Sequence, residues 1–190
     1  MLNRLRKSLT RRALDGYKAR KQRRADLSLD HALDVVRAML KRTTYCFLIT
    51  NSDSPWPSAR LVQPIVEETD EFVLYFGTDP GLRKVREIEA DPHVTVAVEG
   101  KRENANLILY GTATLERDLS TRRRRWLGPW RMFFPGGPTS DGYIVIRFTA
   151  ERIELMNFSR DVVAEPFGLR PLALDRDEAG RWTLADPANP

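Results

Sequence analysis

Arg83 and Lys84 stand at the front of a short helical stretch, GLRKVREIEADP, that starts near Gly81 and keeps its acids, Glu87 and Glu89, for the end. A helix macrodipole favours the reverse order, and each misplaced charge costs a few tenths to about 1 kcal/mol. An anion at the helix N-terminus would reconcile the pattern. Free backbone N–H groups, the dipole, an arginine fork and a lysine point charge all favour a phosphate there. Thr78 precedes the helix through the turn TDPG and could add a hydroxyl donor. The other reading is a solvated basic turn. Upstream, SARLVQPIVEE reads as a strand through Leu61, Val62, Ile65 and Val66. Its Arg60 has two readings: a side chain aimed at the same anion, or an arginine at the solvent end of an edge strand.

Other chemistry is thinner. His31 and His93 stand far apart, with no Cys, Asp or second His at ligand spacing, so no metal site is expected. The single cysteine, Cys46, lies in an apolar strand and reads as a small buried hydrophobe. No side chain presents itself as a catalytic acid or base.

The elements that must position these residues follow from periodicity. In SLDHALDVVRAMLKR, Leu29, Leu33, Val36 and Leu40 form one stripe of a helix, with Ser28 at its N-cap and Lys41 and Arg42 at its end. TYCFLIT, SARLVQPIVEE, FVLYFGT, HVTVAVE, ANLILYGTATLER, YIVIRFT and RIELMNF read as strands. Turns fall at NSDSPWP, TDE and GKREN. A helix is expected over 82–89, and a second in LSTRRRRWLGPWRMFF, ending near Gly128-Pro129. Gly111 inside its strand predicts a bulge or bend. Beyond 160 the prolines Pro166, Pro171, Pro187 and Pro190 predict little regular structure. Six or seven short strands with few helices point to a closed or nearly closed antiparallel β-barrel.

The chain has 190 residues and a net charge of +5, enough for one domain with extensions. Residues 1–24 hold ten basic residues against one acid, Asp15, so the arm carries +9 and the remainder −4. Whole-protein nucleic-acid binding is therefore not indicated. The arm itself, with Leu2, Leu5 and Leu9 at roughly helical spacing, is a solvated helix or frayed segment, a contact for phosphate backbones or anionic lipid, or a transit peptide. No apolar run has the length of a membrane span and no secretory signal core follows the N-terminus. With one cysteine, this suits a reducing compartment, and a cytoplasmic location is expected. The boundaries read as a basic extension over 1–27, a core domain over 28–160 and a tail over 161–190.

The ordered set Arg60, Val62, Pro64, then YFGT ending in Thr78, then Arg83-Lys84 after DPGL, then EIEADPHVTVAV, resembles the flavin-binding split-barrel superfamily of pyridoxamine 5′-phosphate oxidase. The resemblance covers about residues 29–158. It implies a mainly β, antiparallel split barrel with Greek-key connections and flanking helices, assembled as a homodimer with FMN in the cleft between two barrels. It implies that Arg83 and Lys84 hold the phosphate, with Arg60 and Thr78 assisting. Leu61, Val62 and Gln63 would line the ring, and Asn106, five residues before Gly111, would hydrogen-bond it. Phe76, Trp126, Trp130, Phe133 and Phe134 would wall the ring or build the interface, or else pack as ordinary core. The substrate half of the oxidase pattern is missing. Ile65 stands where the oxidase has a lysine, Met156 where it has a tryptophan, and SRDVVAEPFGLRPLAL lacks its arginine-histidine motif. The chain looks more like the general stress protein branch. The expected function is an FMN-dependent oxidoreductase other than the oxidase itself. The alternatives are a flavin sensor or carrier without turnover, or the same barrel holding F420 or haem.

Overall fold

The computed structural model describes residues 2–67 and 72–185, with side chains from Thr10 onward. The expected TDE turn, Pro187 and Pro190 lie outside the described residues. Helix α1 (Leu2–Arg24) carries the basic arm, and α2 (Leu29–Arg42) follows it. Strands β1 (Cys46–Thr50), β2 (Ser58–Val62), β3 (Ile65–Val66) and β4 (Val73–Thr78) lead into α3 (Arg83–Ala90). Then come β5 (His93–Gly100), β6 (Ala105–Glu116), α4 (Leu119–Arg124), β7 (Ile144–Asn157), β8 (Leu172–Arg176) and β9 (Trp182–Leu184).

Nine strands among the described residues form one antiparallel sheet in the order β2-β1-β5-β6-β7-β4-β3, with β8 added to β7 and β9 to β8. The order is open. Its two ends, β2 and β3, are halves of one expected strand, split at Gln63-Pro64. Proline has no N–H for a ladder and is tolerated at such a break. The chain therefore passes covalently from one margin of the sheet to the other without a ladder closing it.

The alternation in the long strands fixes the core. Leu48, Val96, Leu107, Leu109, Phe148, Ile153 and Leu155 are fully buried beneath α2, which contributes Leu33, Val36 and Leu40 as its stripe requires. Ser28 occupies the N-cap position, but its hydroxyl donates to Asp26 (2.7 Å) rather than accepting from the helix. Gly111 marks a register shift against β7. A Cβ there would lie 1.9 Å from the Thr149 carbonyl oxygen, so only glycine lets the two backbones approach. No helix among the described residues is long and apolar enough to cross a membrane.

Three expectations change. YIVIRFT and RIELMNF are one continuous strand, β7, which absorbs the break opposite Tyr110-Gly111 as one extra residue, Glu151. The helix expected up to Gly128 ends at Arg124 and gives way to a 3-10 turn over Gly128–Met132. Proline disfavours helical backbone before it, and Trp126, Trp130, Phe134 and Tyr143 pull this segment into a small second core. The C-terminal stretch is not irregular: β8 and β9 form a hairpin around Gly180 (φ 80°), burying Leu174 and stacking Trp182 edge-on against Phe72 (5.4 Å).

Candidate functional site

Strand β4 ends at Thr78, whose side chain is buried. The Asp79-Pro80-Gly81 turn follows, tied by the Gly81 N–H donating to Asp79 Oδ1 (2.7 Å). This turn launches α3 with Leu82 at its N-cap, a residue with no side-chain acceptor for the helix amides. Lys84 folds back and donates from Nζ to Thr78 Oγ1 (3.1 Å). Burial lowers the Lys84 pKa from its ordinary value, and the Arg60 charge lowers it further against the attraction of Asp79 and Glu87. The ammonium is half-buried, with a guanidinium beside it and Asp79 and Glu87 as the anions within reach.

Glu87 is the residue that sequence reasoning missed. Grouped with Glu89 only as an acid at the helix end, Glu87 lies on the inward face with Ile88. Its Oε1 accepts from Ser58 Oγ (2.8 Å) and pairs with Arg83 Nε (3.1 Å). Its Oε2 accepts from Thr50 Oγ1 (2.6 Å) and Arg60 Nη2 (2.7 Å). Arg60 Nη1 also donates to Thr50 Oγ1 (2.6 Å). Burial pushes the Glu87 carboxyl up, but the hydrogen bonds from Thr50, Ser58 and Arg60 outweigh it and hold its pKa below the ordinary value. The register explains why Arg60 needs this carboxylate. It pairs with Leu48, so its side chain points to the core face. Part of the reversed charge order on α3 is thus internal pairing. Arg83 remains 69% exposed beyond its single contact. The only sequence signal for this role was the i, i+4 spacing of Arg83 and Glu87.

The remaining expected site residues divide into two groups. Arg60, Leu61, Val62 and Gln63 run along β2 to its break, where Gln63 Oε1 accepts from Trp130 Nε1 (2.9 Å). Arg60 is within electrostatic reach of Lys84, so Arg60, Thr78, Arg83 and Lys84 form one cluster. Leu61 pairs with Phe47, which pairs with Ala97, on the outer face of the sheet. Asn106 is exposed on that outer face and lies opposite Met156 of β7, whereas Thr78 lies opposite Ile144. From Ile144 to Met156 is roughly 40 Å of strand at about 3.3 Å per residue. Asn106 and Thr78 therefore lie toward opposite ends of β7.

The aromatics resolve mainly as core. Phe76 is buried, and Trp126, Trp130 and Phe134 pack on Tyr143, while Phe133 is exposed. Burial pushes the Cys46 thiol up to about 12, so it is a protonated hydrophobe. His31 contacts the Arg160 carbonyl (2.7 Å), and His93 contacts Asp91 (2.6 Å) in the turn before β5.

An open antiparallel sheet whose two margins are joined covalently, with a basic helix start beside β4, is a split barrel. Residues 31–164 match the family described as "Pyridoxamine 5′-phosphate oxidase like". The chain belongs to that family. Among solved structures it is similar to general stress protein 26 from Bacillus anthracis, with 21% identity over 66% of this chain and 94% of that one, at a TM-score of 0.58. A pyridoxamine 5′-phosphate oxidase-related, FMN binding protein from Nostoc punctiforme is 16% identical over 84% of this chain and 95% of its own, at 0.56. A heme binding protein from Mycobacterium smegmatis is 15% identical over 66% of this chain and 53% of its own, at 0.54. No curated protein matches the sequence.

Proposed function

We propose that this chain binds FMN as a homodimer and serves as a flavin-dependent oxidoreductase for a small molecule. The observation that carries the reading is the half-buried Lys84 at the start of α3, a helix without a side-chain cap, with its pKa lowered by burial and by the Arg60 charge beside it. A terminal phosphate fits this cluster. Lys84 and the first-turn amides of α3 would hold it, and Arg83 would close over it as a fork. Arg60, locked by Glu87 and Thr50, would present a fixed positive edge to the ribityl chain. Leu61, Val62 and Gln63 would line the ring, with Gln63 oriented by Trp130. Bound flavin would supply hydride or electron transfer, and these side chains would position it and keep water from one face.

The placement of Asn106 and Thr78 toward opposite ends of β7 supports the dimer. A second copy would present its own Asn106 to the ring. The outer face that would meet it exposes Phe47 (49%), Leu61 (60%) and Tyr110 (37%), an apolar surface suited to an isologous contact. The similarity to a heme binding protein raises haem as another ligand, but no residue of the cluster is a suited axial donor.

A fluorescence-quench titration tests the reading. Arg83→Ala with Lys84→Ala should weaken FMN binding by roughly 3 kcal/mol or more, about a hundredfold or greater. Riboflavin, lacking the phosphate, should bind both proteins alike and weakly. Equal FMN affinity for the two proteins would overturn the assignment.

A further inference from the structure

Glu87 holds its four partners unequally. Thr50 and Ser58 are buried and face each other across β1 and β2, and Arg60 follows on β2. Their contacts with the carboxylate are short, at 2.6 Å from Thr50, 2.7 Å from Arg60 and 2.8 Å from Ser58. Arg83 differs in every respect. It stands on the first turn of α3, is mostly exposed, and meets the carboxylate through Nε alone at the longest of the four distances, 3.1 Å.

Arg83 is therefore the partner that can leave. If it swings away, Glu87 keeps two hydroxyl donors and the full charge of Arg60. The loss is one exposed ion pair, which contributes little in water. Losing Arg60 instead would leave a buried carboxylate without its cation. Lys84 is in a different state from Arg83, since its ammonium is bonded to the Thr78 hydroxyl. An anion arriving at the start of α3 can meet Lys84 without displacing a carboxylate. It can take Arg83 only by drawing it off Glu87 or by sharing it with Glu87, whose charge then stands behind the guanidinium.

We propose that Glu87 is a positioning residue that holds Arg83 in reserve and limits how tightly the phosphate of the ligand is gripped, a role that rests on the FMN reading. Its effect is to speed release of the cofactor and so to favour exchange with free flavin. Drawing Arg83 off the carboxylate and bringing a phosphate near that carboxylate both act against binding. A unit charge within about 10 Å, at an effective dielectric of about 20, changes a binding constant by about tenfold. Riboflavin has no phosphate, so neither effect reaches it.

The test is flavin fluorescence, at equilibrium and by stopped flow, with the full-length chain at neutral pH. Glu87→Gln should bind FMN about tenfold tighter than wild type, mainly through slower release, and should bind riboflavin unchanged. A merely structural role predicts the opposite, weaker binding of both flavins. Circular dichroism checks that the Gln variant is folded. A second comparison leaves Glu87 in place. An arginine fork is ordinarily the stronger phosphate ligand, but Arg83→Ala should weaken FMN binding less than Lys84→Ala does, because Glu87 offsets part of the pull of Arg83. FMN bound equally or more weakly by a folded Glu87→Gln protein would overturn the proposal, and so would an Arg83→Ala loss equal to or larger than the Lys84→Ala loss. Wild type that binds FMN no better than riboflavin would overturn the FMN reading itself, and this role with it.

Discussion

Glu87 makes the clearest case at the scale of single residues. It neutralises Arg60 on the core side of β2 and Arg83 at the mouth of the cluster, and it satisfies two hydroxyls in doing so. Removing one partner of a buried pair leaves an uncompensated charge, which costs several kcal/mol. Glu87→Gln should therefore destabilise the protein at neutral pH by on the order of 3 kcal/mol. The pH dependence has a definite sign. The folded-state pKa of Glu87 is depressed below the ordinary glutamate value, so its contribution is complete above that value and disappears as pH falls through the folded pKa. Urea unfolding from pH 7 to below pH 4 should show wild type losing stability on this limb. The Gln variant should lose less, so the gap between the proteins narrows. A gap constant across that range would mean the carboxylate charge is not what holds Arg60. In the sequence Arg83 and Lys84 stand out because their charge order breaks a helix rule, and Thr78 only by its place before the turn. The sequence concealed Glu87 because an acid in a polar amphipathic segment looks solvated until the register shows which face it occupies.

At the scale of elements, α1 is the part whose role the sequence left most open. Composition gave its charge and its helical tendency. The helix docks through Lys21 and Tyr17 onto Phe158, Asp161 and Phe167, which are distant in sequence, the last two in a stretch expected to be irregular. One partly buried ion pair and one aromatic edge contact are each small, together on the order of 1–2 kcal/mol. Removing residues 1–24, which spares Leu27 and its packing on the core, should leave the sheet folded and FMN affinity unchanged while lowering Tm by a few degrees. Calorimetry beside a flavin titration checks both halves. Loss of the folded sheet would show that the helix is part of the domain and not fastened onto it. The β8–β9 hairpin makes the same point. Prolines at 166 and 171 marked where structure is interrupted, but they said nothing of LALDR and WTL after them, which pair with each other and, through LALDR, with β7.

At the scale of the whole molecule, strand alternation made the barrel legible. It could not show that the cation cluster and Asn106 lie at opposite ends of β7. On the proposed reading a second chain supplies the Asn106 that meets the flavin. Sedimentation at micromolar concentration should give a dimer, and Leu61→Arg, placing a charge on the outer face beside Phe47, should shift it toward monomer and weaken FMN binding together. A monomer with full flavin affinity would sink the shared-site arrangement. The split at Gln63-Pro64 has a different consequence. The long strands β5, β6 and β7 are all interior, and among the described residues the sheet's margins are β2, β3 and β9, of five, two and three residues. Runs that short give an incoming strand little to zip onto. The native state is thus a poor seed for fibrils, and any polymer of this chain must wait for its sheet to come apart. Its formation would then follow the unfolding clock of each molecule and not the frequency with which folded molecules collide.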